Sequence, residues 1–98
     1  MRMLIKVRPK GELGNKAIVD GTFGRILGQF AERFRPEAMY FTTEGGERTA
    51  LLIIDLKAES DMVAAAEPFW NEMHATVDWS PVMTADDVRK GLAELTKR

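Results

Sequence analysis

Glu37-Ala38-Met39-Tyr40-Phe41-Thr42-Thr43, followed by Glu44-Gly45-Gly46 and then Glu47-Arg48-Thr49-Ala50-Leu51-Leu52-Ile53-Ile54-Asp55-Leu56, is the stretch on which the fold turns. Both flanking runs are rich in aromatic and β-branched residues, and the two glycines between them reach the positive φ angles of a tight turn, so residues 37–43 and 47–56 read as a β-hairpin. Alternation along the hairpin separates two faces. Met39, Phe41, Ala50, Leu52, Ile54 and Leu56 point one way, and Tyr40, Thr42, Thr49, Leu51, Ile53 and Asp55 point the other.

Working outward, residues 2–8 alternate in the same way, with Met3, Ile5 and Val7 against Leu4, Lys6 and Arg8, until Pro9 ends the strand. Residues 75–83 form a fourth strand, with Ala75, Val77 and Trp79 against Thr76, Asp78 and Ser80. Between the first strand and the hairpin, Val19, Phe23, Ile26, Leu27, Phe30 and Phe34 fall at helical spacing, and one helix over about residues 15–35, stopped by Pro36, is expected. A second helix follows Ser60 or Asp61 with Met62, Ala66, Phe69 and Met73 inward, and Pro68 predicts a kink or a late start. Thr84 is placed to cap a C-terminal helix by accepting from the Asp87 amide, with Met83 and Val88 as a hydrophobic staple and Val88, Leu92 and Leu95 on one face.

The order is β-α-β-β-α-β plus a C-terminal helix, which predicts an α+β, ferredoxin-like domain over residues 1–98: a four-stranded antiparallel sheet with two helices on one face. The opposite face carries Leu4, Leu51 and Ile53 among Lys6, Arg8, Asp55 and Asp78. It is too apolar for water and too charged for a sealed core, and it calls for a partner or a ligand.

Composition narrows the functional classes. Ninety-eight residues make one domain, 45% hydrophobic and 30% charged, which is ordinary globular usage. With no cysteine, disulfides, thiolate metal sites and cysteine nucleophiles are excluded. Fourteen basic residues against fifteen acidic leave a formal charge of −1, so no net field draws the protein to nucleic acid or anionic lipid. No apolar run approaches the ~20 residues of a membrane span, and Met1-Arg2-Met3-Leu4 passes directly into alternation instead of a signal-peptide block. A cytoplasmic location is expected.

The element order, the size and the opening strand Met3-Leu4-Ile5-Lys6-Val7 together resemble the dimeric α+β barrel group, including muconolactone isomerases and cofactor-independent monooxygenases. The resemblance implies a homodimer in which two sheets meet open face to open face around a cavity. It implies either a protein that binds a small organic molecule there, or an isomerase or monooxygenase that works without a cofactor. Haem-degrading members pair an asparagine on the first strand with a tryptophan and a histidine. Trp70 and His74 are present here, but the first strand has no asparagine, which argues against haem chemistry.

Candidate site residues follow from face and charge. Lys6, Asp55 and Asp78 share the open face, and with the first strand between the third and fourth, Lys6 falls between the two carboxylates. One reading makes Asp55 or Asp78 a catalytic base and Lys6 the binder of an anionic substrate, with Tyr40 and Thr49 adding hydroxyls to the same wall. The other makes the charges a salt bridge that sets dimer register. His74, the sole histidine, ends the second helix and is a third proton-transfer candidate if Asp78 orients it; a capping or surface role is the alternative. No metal is expected with one histidine and no cysteine.

Gly21-Thr22-Phe23-Gly24 introduces another class, because a GxxG loop between two short helices is how KH domains clamp single-stranded nucleic acid. Such loops usually carry basic residues, whereas Asp20, Thr22 and Phe23 occupy this one. If the stretch is instead one helix, Ala17, Gly21, Gly24, Gly28 and Ala31 form a small-residue stripe, which predicts close approach of the C-terminal helix or of a partner subunit.

Overall fold

A computed structural model describes residues 1–97. The elements run β1 (Arg2–Arg8), α1 (Gly11–Val19), α2 (Thr22–Phe34), β2 (Ala38–Glu44), β3 (Glu47–Asp55), α3 (Asp61–Met73), β4 (Thr76–Pro81) and α4 (Ala85–Leu95). The four strands form one antiparallel sheet in the order β2-β3-β1-β4, so β1 lies between β3 and β4 as expected. The β2–β3 hairpin closes with Glu44 opposite Glu47 and both central residues at positive φ, +58° at Gly45 and +80° at Gly46, the backbone that suits right-twisted strands.

Helices α1, α2 and α3 cover one face. Met3, Ile5, Val7, Leu52 and Ile54 from the sheet pack with Ala17, Phe23, Ile26, Phe30, Phe69 and Met73 from the helices in a single core. Phe69 is its centre. The ring meets Phe23 edge to face at 6.4 Å and Phe30 at 5.9 Å between centroids.

The single helix expected over residues 15–35 is two helices. Val19 ends α1, Asp20 and Gly21 break the chain with Gly21 at φ +87°, and the Asp20 carboxylate accepts from the Thr22 amide at 2.9 Å to start α2. Only glycine adopts that φ without strain. The break takes Val19 off the apolar stripe and leaves it 88% exposed. Within the chain the small-residue stripe makes no close contact: Ala17 lies in the core, and a methyl added at Gly24 or Gly28 would meet no atom outside its own helix turn within 4 Å. The C-terminal helix does not approach them.

Other expectations are corrected at the edges. Phe41 has the parity of the core face but is 58% exposed, because β2 is an edge strand that the helical layer does not reach. Helix α3 starts at Asp61 without a side-chain cap from Ser60 and carries Pro68 inside, so the start is not late. Strand β4 is shorter than expected, Thr76–Pro81. At α4 the reciprocal Thr84–Asp87 capping box is formed, but Met83 and Val88 remain exposed and bury no staple.

The molecule is long for its mass. Its extents are 56 × 29 × 18 Å and its radius of gyration is 15.7 Å, where a compact chain of this length has about 13 Å. Its surface is 6543 Å² for 11.0 kDa, against about 5,600 Å² for a folded monomer of that mass. Helix α4 has no buried residue.

Candidate functional site

The open face of the sheet carries a chain of charges that spans three strands. Lys6 and Arg8, one pleat apart on β1, both reach Glu44 at the end of β2: Lys6 Nζ donates to Glu44 Oε1 at 2.9 Å and Arg8 Nη2 stands 3.5 Å from Oε2. The other guanidinium nitrogen, Arg8 Nη1, donates to Asp78 Oδ2 on β4 at 2.7 Å. Because β3 lies between β2 and β1, the pairs to Glu44 cross over it. Thr49 of β3, beside Thr42 on β2, lies under that crossing and is the one buried polar residue among those described. Its hydroxyl donates to the Glu47 carbonyl at 3.0 Å. Lys10 extends the chain to Glu47 with a contact of 2.6 Å, and Lys10 holds the Glu47 carboxyl below its ordinary value.

Arg8 is the least exposed member, at 17% of its side chain. A planar guanidinium held between two carboxylates on different strands is fixed in orientation, with its N–H groups aimed along the sheet face. Leu4, Leu51 and Ile53 adjoin the charges and are only half-buried. Tyr40, opposite Leu51 on β2, is exposed on the same face. An apolar floor beside two cations fits a small molecule with an apolar body and an anionic group.

The residues singled out from sequence are divided by this geometry. Lys6, Tyr40, Thr49 and Asp78 share the open face. Lys6 is opposite Asp78 in register but bonds Glu44, and Asp78 bonds Arg8. Asp55 is not with them. It pairs with Arg2, four positions from Lys6 along β1 and hence about 13 Å away at strand rise. Lys57 Nζ at 2.6 Å and the Met1 amino group at 3.0 Å bond it instead, Lys57 first, and bring its pKa down to about 2. A carboxylate held that low is a poor proton acceptor at neutral pH. His74 ends α3 in the left-handed region at φ +50°, exposed, and Asp78 is occupied by Arg8 instead of orienting it. The three proton-transfer candidates therefore do not assemble.

Sequence reasoning missed Arg8 and Glu44 as site members. Arg8 had the parity of Lys6, but Glu44 belonged to the turn by sequence, and only the β2–β3 register carries it back over the sheet. At the GxxG segment the two short helices exist, yet the Asp20 carboxylate occupies the start of α2 and Phe23 is buried in the core. No group of three or more histidine, aspartate or glutamate side chains converges to hold a metal ion among the described residues, and no helix among them is long and apolar enough to cross a membrane. The chain matches no protein-family model and no curated protein.

Proposed function

We propose that this chain is a ferredoxin-like subunit of a homodimer that binds a small organic anion between two facing sheets. The observation that carries the reading is the forked Arg8, nearly covered, beside Lys6 on a sheet face whose leucines and isoleucine are left half-open. The order β4-β1-β3-β2 with helices on one face supports the ferredoxin-like assignment. The face is an interface as much as a site, since an apolar row of this kind is stabilised by roughly 25 cal/mol for each Å² removed from water. Binding, with no proton transfer, is the role the side chains suit. Asp78 and Glu44 neutralise the two cations until a ligand carboxylate replaces one of them.

Calorimetric titration with a panel of small aromatic and aliphatic carboxylates, beginning with benzoate, tests this reading. The expected result is saturable binding by at least one member, weakened tenfold or more in Arg8→Gln and in Lys6→Met. Binding that survives both substitutions, or no binding across the panel, overturns it.

A further inference from the structure

We infer that α4 is an arm that docks on a second copy of this chain. The inference rests on the dimer part of the reading above and adds the element that clasps the pair. Helix α4 is well rooted. The Val82 amide donates to the Arg2 carbonyl at 3.1 Å, and Thr84 and Asp87 exchange hydrogen bonds of 3.1 and 2.9 Å at the first turn. Beyond that root nothing covers it: Val88, Leu92 and Leu95, spaced four and three apart on one stripe, are 42%, 58% and 61% exposed. An isolated helix of eleven residues is marginal in water and gains its stability from packing an apolar face. The stripe therefore needs cover that its own chain does not supply.

The surface excess is of the size that a second copy would cover. The surface of 6543 Å² exceeds that of a compact monomer by roughly 900 Å², close to the ~800 Å² that each partner buries in a standard interface. Each copy carries two apolar surfaces left in water, the exposed stripe of the arm and the half-buried row Leu4, Leu51 and Ile53. A two-fold axis lets both be covered at once by a second copy and leaves no open end. Charge disfavours a lipid occupant. Asp86, Asp87 and Glu94 are matched by Arg89, Lys90 and the adjoining Lys97, so the helix carries no positive excess, whereas helices that lie on anionic membranes are rich in lysine and arginine.

Sedimentation velocity over a micromolar range on the wild-type chain, Leu92→Asp and Leu51→Lys tests the arm and the sheet face separately. Leu92 lies outside the core, so Leu92→Asp should keep the far-ultraviolet spectrum of the folded body. The expected result is a wild-type dimer whose dissociation constant rises at least tenfold in Leu92→Asp. A Leu92→Asp dimer as tight as wild type overturns the arm, and if Leu51→Lys dissociates in the same series the sheet-face reading stands without it. Dissociation of Leu92→Asp with an intact Leu51→Lys dimer supports the arm and overturns the sheet-face reading instead. A monomeric wild-type chain that binds phosphatidylserine vesicles, or that associates only with a different protein, overturns the arm.

Discussion

Asp55 and Gly28 show how a residue's role depends on what stands beside it. By parity Asp55 belongs with Lys6 and Asp78, yet the Met1 amino group and Lys57 claim it at the other end of β1. Its folded pKa of about 2 lies below the ordinary 3.8, so the unfolded chain takes up the proton first as pH falls. The stability Asp55 contributes is complete above about pH 5 and disappears as pH falls toward 2. Acid titration of stability by circular dichroism should therefore show a shallower loss between about pH 4 and 2 in Asp55→Asn than in wild type. Gly28 is the reverse case, a residue expected at a contact and found facing open space. Gly28→Ala should stabilise the protein by about 1 kcal/mol, the helix-propensity difference, read as a raised denaturant midpoint at constant slope. A loss of stability or of association would restore the close approach that the stripe predicted.

At the scale of elements, the cross-strand pairs and the helix break decide what each segment does. Phe69 locks α3 onto α2 through Phe23 and Phe30 and is completely buried. Phe69→Ala should cost about 3 to 5 kcal/mol in equilibrium unfolding, transfer and cavity terms together. The Asp20–Gly21 break leaves Gly21 before α2 and puts Thr22, Phe23 and Gly24 in its first turn, so the GxxG residues form no loop between α1 and α2 of the kind that holds single-stranded nucleic acid elsewhere. Here the carboxylate of Asp20 sits where a phosphate would accept amide hydrogen bonds. Titration with mixed single-stranded RNA at low salt should give no tight complex. A strong complex that collapses as salt rises would assign the segment to backbone phosphates after all.

The whole molecule is a sheet covered on one side with an arm projecting from one end, and both features leave apolar surface in water. If a second copy covers it, folding and association are linked. The thermal midpoint should then rise with protein concentration across a hundredfold dilution series, whereas a monomer's would not move. Differential scanning calorimetry at several concentrations makes the measurement. Such a dimer would also enclose the charge chain of the sheet face. Lys6, Arg8, Glu44 and Asp78 are part-covered pairs, and an apposed sheet that excludes water would raise their mutual attraction against the cost of desolvating them.

The sequence alone determined the strands, the hairpin with its Gly45-Gly46 turn, the Thr84 cap and the core parity of Met3, Ile5, Val7, Leu52 and Ile54. Period and capping are local properties, readable within a few residues. Three matters lay beyond it. Gly21 decided between one helix and the two short helices of the GxxG reading, which the apolar period could not, because spacing is blind to a single residue at positive φ. Phe41 remained in water because an edge strand is buried only as far as the helical layer extends. Glu44, and not Asp55, met Lys6 because strand register sets which side chains of one face are neighbours. Parity assigns a residue to a face, while its partners across that face are decided only when the strands pair.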